Sequence, residues 1–311
     1  MKILVTGHLG FVGTETVRSI QSVMEDEATG EIKDWVYKDK LERYLKSAHE
    51  VIGYDLMDGK DIRDIDQLDR FVNFHKAEYE PVRILHLAAI ARFSEADENP
   101  IRAYETNVLG TQNVVEVADK YHIPLVYAST GSAIMPLDSY EAPYKEDIPA
   151  RGNSVYGTSK ALGEYYVQRS NSPWIILRYS HLYGKEKRHH GLVGGFIERI
   201  ERGLEPKLHG GQQTNDFLYV KDVAKANRLA LEATWDKWNQ TYHIGTGREL
   251  TAKEAGQAVC DVMGYKGKIE VTEARTVDPG RFCFDVSKAK EMLGFEAEYT
   301  FEAGLKDMKS A

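Results

Sequence analysis

A tyrosine and a lysine stand four positions apart in Tyr156-Gly157-Thr158-Ser159-Lys160, a spacing that puts both on one face of a helix. An ammonium beside a phenol favours the phenolate, so Tyr156 is a candidate general base or acid tuned by Lys160. A second group of polar side chains follows an apolar run in Ala128-Ser129-Thr130-Gly131-Ser132. One of Ser129, Thr130 and Ser132 is suited to hydrogen-bond the oxygen of a carbinol or ketone whose proton Tyr156 handles.

The start of the chain carries a third constellation, Thr6-Gly7-His8-Leu9-Gly10-Phe11-Val12-Gly13, between the apolar run Ile3-Leu4-Val5 and a helical stretch. One glycine permits the tight turn, one lets backbone approach a pyrophosphate, and one lets the helix sit close to the strand. The N–H groups that open the helix then face the anion, aided by its dipole. This is a dinucleotide site, with Gly7, Gly10, Phe11, Val12 and Gly13 as its turn. Asp55, at the end of the next apolar run, is placed to accept from adenosine ribose hydroxyls, which favours NAD over NADP. It lies further on than usual because a polar, helix-prone stretch, Met24–His49, is inserted before it. Asp61 and Ile62 are candidates to flank the adenine, and Lys160 to hold the nicotinamide ribose.

The elements that must position these groups alternate. Ile3–Val5, Glu50–Tyr54, Arg83–Leu87, Pro124–Ala128 and Trp174–Arg178 read as buried parallel strands, with helices over Ile65–Glu78, Asn107–Tyr121 and Ser154–Ser170. That rhythm predicts an α/β fold, a Rossmann-type doubly wound parallel sheet over 1–180, with a smaller C-terminal α/β substrate lobe over 181–311. The lobe is intercalated with the first domain, and its strand near 217–220 is the one expected to return to the main sheet. Further strands are expected at Thr241–Ile244 and Lys268–Val271.

The 311 residues are 42% hydrophobic and 28% charged, with a net charge of -8. That composition excludes disordered, collagen-like and disulfide-stapled chains. An acidic balance implies no nucleic-acid partner and no anionic membrane surface. Cys260 and Cys283 are small core residues by this reading, with no metal-type spacing and hence no metal. No apolar run spans a bilayer, and the opening strand leaves no room for a signal peptide, so a cytoplasmic location is expected. The pair His189-His190 reads as part of a solvated loop over the substrate cleft.

These motifs together resemble the extended short-chain dehydrogenase/reductase family, in its nucleotide-sugar epimerase/dehydratase branch. The likeness runs from the Thr6–Gly13 turn through His86-Leu87-Ala88-Ala89, Asn107-Val108-Leu109-Gly110-Thr111 and Tyr156–Lys160. It continues through Leu177-Arg178-Tyr179, Asp216-Phe217-Leu218-Tyr219-Val220 and Asp285-Val286-Ser287-Lys288-Ala289. The resemblance implies NAD kept bound through a cycle of hydride removal and return, and a homodimer built through a helix bundle containing the Tyr156 helix. It makes Thr130 the catalytic hydroxyl and sets Ser129 against the nicotinamide. Leu87, Ala88, Ala89, Asn107 and Tyr179 join the cofactor site, and Ser132, Leu192 and Arg275 the substrate site, with Arg275 gripping a diphosphate.

Three positions depart from the family's pattern. Asn215 stands where a second diphosphate-binding arginine is usual, with Arg188 and Arg281 as candidate replacements. His181 replaces an asparagine, and His209 is the nearest match to an aromatic that stacks on the substrate's base. Dehydratases of this branch carry an acidic pair directly after the catalytic threonine; here those positions are Gly131 and Ser132. The expected reaction is therefore 4-epimerisation of a nucleotide sugar, ahead of 4,6-dehydration, 4-ketoreduction, a substrate without a nucleotide, or a regulatory NAD-binding role.

Overall fold

The computed structural model describes residues 1–29, 49–76, 82–136, 139–185, 191–273 and 280–310, with 22–29 as backbone only. Its contacts separate into two units interleaved in sequence. One comprises Met1–Ala128, Ser154–Ile176 and Ala224–Gln240, the other Ser129–Asn153, Leu177–Val223 and Thr241–Ala311. The expected boundary at 180 is thus crossed in both directions: 129–153 and 177–180 go with the second unit, and 224–240 with the first.

The six-stranded central sheet contains β1 (Lys2–Thr6), β2 (Glu50–Tyr54), β3 (Val82–His86), β4 (Leu125–Thr130), β5 (Trp174–Tyr179) and, after the β6–β9 strands below, β10 (Gln240–Ile244). The strand order is β10-β5-β4-β3-β1-β2. β1 pairs in parallel with β2 (Ile3↔Val51) and with β3 (Ile3↔Arg83). Ile3, Leu4, Val5 and Thr6 are all buried, the unbroken apolar signature of a parallel strand covered on both faces. The chain leaves β1 for β2 on one side and returns to β3 on the other, so the order reverses at β1. Ligands of open parallel sheets lodge at the carboxyl ends of such strands.

In the first unit, helix α1 (Phe11–Thr29) follows β1, α2 (Ile65–His75) follows β2, α3 (Phe93–Glu98) and α4 (Pro100–Tyr104) follow β3, and α6 (Val155–Val167) precedes β5. The stretch expected as one helix over 107–121 begins with a π turn, Glu105–Leu109, before α5 (Gly110–Tyr121). The wide turn holds Asn107, whose amide bonds outside the helix; such bulges recur where a side chain must be aimed. The core of this unit joins Leu4, Tyr54, Leu68, Ile84, Val114 and Tyr127.

The second unit pairs β6 (His181–Tyr183) with β9 (Phe217–Tyr219), β7 (Lys207–His209) with β12 (Glu270–Thr272), and β8 (Thr214–Asn215) with β11 (Leu250–Thr251). The strand at 217–219 therefore does not return to the main sheet. It runs parallel to β6 in register His181↔Phe217; the Ser180 N–H donates to the Ile244 carbonyl, and β10 takes the sheet's edge beside β5. Helix α7 (Gly191–Glu201) packs on α9 (Ala252–Met263), which also meets α10 (Phe301–Ser310); α8 (Val220–Glu232) lies between β9 and β10 in the chain. A reciprocal cap, Thr251 with Glu254, starts α9.

Among the described residues no helix is long and apolar enough to cross a membrane, and no group of side chains could hold a metal ion.

Candidate active site

In the first unit the turn after β1 has the geometry its glycines require. Gly7 has φ +73, and a Cβ there would lie 2.7 Å from the Ala88 nitrogen and 2.8 Å from its Cα. A Cβ on Gly13 would overlap the Gly7 carbonyl oxygen and the His8 backbone. The turn closes through Gly10 N to Gly7 O at 3.0 Å and Thr14 N to Gly10 O at 2.8 Å. Backbone from β1, α1 and the end of β3 thus converges with no side chain between, and Phe11 and Val12 open α1 directly at this mouth. Leu87, Ala88 and Ala89 are half-buried along it.

Asp55, at the end of β2, accepts from Leu9 N at 3.1 Å and Met57 N at 2.9 Å. It ties the turn to the second strand while remaining partly exposed. Asp61 is gripped by Arg63 through Nε and Nη2 at 2.9 and 2.6 Å, which holds its carboxyl below the usual range. Ile62 is buried with its side chain against Gly110. His8, whose role sequence reasoning missed, lays its ring against Gly53 and approaches Asp58 at 3.5 Å. The signal lay in a bulky residue inside a turn of glycines and in a glycine inside β2.

Helix α6 starts at Ser154, whose hydroxyl accepts from Gly157 N at 3.0 Å. Tyr156 sits in its first turn, half-buried, edge-on to Phe93 at 5.3 Å between ring centroids. Lys160, one turn on, is buried, its ammonium 4.1 Å from the centre of the Tyr127 ring. Burial lowers its pKa to about 7, with Glu164 acting in the opposite sense. Asn107 ties the helix down: Nδ2 donates to Ser159 Oγ at 2.9 Å, and Ser159 Oγ to the Tyr156 carbonyl at 2.7 Å. Its amide also bonds both backbone groups of Ile90. Further in, His86 joins Thr6 Oγ1 at 2.7 Å and Thr111 Oγ1 at 3.0 Å. Thr111 donates to the Asn107 carbonyl, so His86 carries its proton on Nε2 and accepts from Thr6. Burial pushes its pKa down to about 3, with Lys160's charge a second cause.

In the second unit Ser129 is buried and Thr130 half-buried at the end of β4, and Asn153 Nδ2 donates to the Ser132 carbonyl at 3.0 Å. Gly131 is walled in. A Cβ there would lie 2.7 Å from Phe282 Cζ, 2.8 Å from the Tyr179 carbonyl oxygen and 2.9 Å from Phe284 Cζ. Tyr179 itself is buried. His181 meets Phe282 edge-on at 6.0 Å and Phe217 at 6.1 Å. His209 Nδ1 shares a 2.6 Å hydrogen bond with Thr272, and Leu192 is half-buried in α7. Asn215 pairs with Leu250 across β8 and β11, and its Oδ1 is buried without a hydrogen bond. Arg281 is engaged by Glu249, with contacts of 2.7–2.9 Å through Nε and Nη2. Sequence reasoning missed Phe282 and Phe284, whose signal was two aromatics at strand spacing just before Asp285. Arg275, Arg188, His189, His190 and most of the Met24–His49 insertion lie outside the described residues.

The sequence model of the NAD dependent epimerase/dehydratase family matches residues 3–245. The chain belongs to that family. Similar relatives include a putative UDP-glucose 4-epimerase of Methanocaldococcus jannaschii, 34% identical over 98% of this chain and 96% of its own length. A dTDP-glucose 4,6-dehydratase of Haemophilus influenzae is 27% identical over 98% and 96%. Among solved structures, the UDP-glucose 4-epimerase of Thermotoga maritima with UDP-glucose superposes at TM-score 0.81 and 28% identity, covering 100% of this chain and 98% of that one. The epimerase of Thermus thermophilus in complex with NAD gives 0.78 and 27%, with the same coverage. The cofactor of this epimerase/dehydratase is NAD, and the residues present fit it: the side-chain-free cradle at Gly7 and Gly13 would be filled by any Cβ.

Proposed function

We propose that this chain is an NAD-dependent 4-epimerase of a nucleotide sugar, working through a transient 4-ketose. The observation that carries this reading is the wall around Gly131. A 4,6-dehydratase needs an acid–base pair to expel the C6 hydroxyl, and the family places that pair directly after the catalytic threonine. Here position 131 has no room for a side chain between Phe282, Phe284 and the Tyr179 carbonyl, and position 132 is a serine.

The turn Gly7–Gly13 would hold the pyrophosphate of the cofactor and Asp55 its adenosine ribose. Asp61 and Ile62 would lie at the adenine end, and Leu87, Ala88, Ala89, Asn107, Ser129 and Tyr179 along the rest. The chemistry the bound NAD supplies is reversible hydride acceptance at C4. Tyr156 Oη takes the C4 hydroxyl proton and later returns it, and the Lys160 ammonium favours the phenolate this requires. Thr130 Oγ1 hydrogen-bonds the same substrate oxygen. Ser132, His181, Leu192, His209, Asn215 and Arg275 are the substrate side, on which the ketose turns its other face before reduction. Exposed Ile101, Leu109, Leu162 and Tyr165 on and beside α4 and α6 support a homodimer formed through the catalytic helix.

The test is product analysis by mass spectrometry and proton NMR, with NAD and a panel of UDP-, dTDP-, GDP- and CDP-hexoses. An isomer of unchanged mass is the expected product. Loss of water from any substrate overturns the reading, and activity that survives Tyr156→Phe overturns the role of that tyrosine.

A further inference from the structure

The Lys160 ammonium is buried, and among the described residues Tyr127 and Glu164 attract it. The face of the Tyr127 ring lies 4.1 Å from it, and the buried carboxylate of Glu164 stands one helical turn further along α6. His86, at the end of β3, is fully buried and its charge state is neutral, because burial and Lys160 both depress its pKa. Tyr127, on β4, stays a neutral phenol: burial raises its pKa well above the ordinary value, and Glu164 and Tyr156 add to the rise. The ring is fixed from both sides. Its centroid lies 5.5 Å from that of His86, and its hydroxyl occupies the space that a Cβ on Gly163 would need.

A buried ammonium survives only if something replaces its lost hydration. We propose that Tyr127 and Glu164 are positioning residues that seat and keep charged the Lys160 ammonium, the ring through its face and the carboxylate through its charge. The proposal rests on the reading of Tyr156 as the acid/base, because what they control is how readily that phenol ionises. Cation–π attraction strengthens when both groups are desolvated, and opposite charge in a low-dielectric site favours the protonated amine. Removing either partner lowers the proton affinity of Lys160, and a less charged Lys160 makes the Tyr156 phenolate form only at higher pH.

The test reads Tyr156 directly and needs no substrate. The chain has 18 tyrosines, so the ultraviolet phenolate band is titrated in each protein against its own Tyr156→Phe partner, and the difference reports Tyr156 alone. Glu164→Gln and Tyr127→Leu are expected to move that titration upward by about one pH unit or more. Tyr127→Phe keeps the ring and should leave it in place. Thermal unfolding of each variant separates a folding defect from a tuning effect. If Tyr127→Leu does not fold, Glu164→Gln alone decides. A Glu164→Gln titration superimposable on that of the parent overturns the proposal, as does a Tyr127→Phe shift as large as that of Tyr127→Leu. Failure of the epimerase reading would show in the product panel and leave these titrations untouched.

Discussion

Replacing Gly131 by alanine tests the wall on which the choice of reaction rests. The added methyl carbon would stand 2.7–2.9 Å from two phenylalanine ring ends and a carbonyl oxygen of β5. The oxygen belongs to backbone at the end of a central strand and cannot yield cheaply. The rings are buried, in edge contact with each other at 5.0 Å, with Phe284 stacked on His243 at 3.8 Å. Overpacking of this kind costs about 1–3 kcal/mol. At roughly 2–4 °C per kcal/mol for a chain of this size, Tm should fall by about 2–12 °C in scanning calorimetry. Gly195→Ala is the control. It sits inside α7 with nothing within 4 Å of its Cβ, and should gain about 0.5–1 kcal/mol. A Gly131→Ala protein as stable as the parent would refute the wall. So would a Gly131→Asp protein that folds normally and releases water from a nucleotide sugar.

Asp55→Ala removes the acceptor of Leu9 N and Met57 N; NADH affinity followed by fluorescence should drop about tenfold or more, and unchanged affinity would dissociate Asp55 from the ribose. His86 has its folded pKa lowered from 6.5 to about 3, so the unfolded chain binds the extra proton. Its contribution to stability is complete above about 6.5 and is lost as pH falls toward about 3. Denaturant melts across that window should show a shallower loss in His86→Gln than in the parent, and equal slopes would contradict the assignment.

Much of the first unit was legible because its constraints are local. Ile3–Val5 reads as a strand from composition alone, and Gly13 is forced by the backbone of Gly7 and His8 within the same turn. The Tyr156–Lys160 pair needs only helical spacing. Other features were not legible because partners distant in sequence decide them. The π turn at Glu105–Leu109 accompanies an Asn107 amide that bonds Ile90 and Ser159. The 217–219 strand leaves the main sheet because β6 is its partner and β10 takes the edge of β5. Arg281, weighed as a replacement for the arginine lacking at 215, is held by Glu249, a contact no spacing rule foretells.

Glycine is required in each unit, but different neighbours require it. At Gly7 and Gly13 the place of a side chain is taken by backbone, that of Ala88 at the one and of Gly7 and His8 at the other. At Gly131 the missing side chain is already replaced by the protein's own aromatic rings, so nothing that could move a proton fits there. Sequence reads the first as a phosphate-binding turn and the second only as a missing acidic residue. The distinction comes from Phe282 and Phe284, some 150 residues later in the chain, and it bears on chemistry and not only on packing. In the proposed reading both reactions start with Tyr156 taking the proton of the C4 hydroxyl. They diverge at whether a second proton-transfer group can reach C6, and the occupied space at Gly131 removes the position from which the family's dehydratases supply it. On the proposed reading, returning the hydride at C4 is then the step left to the ketose.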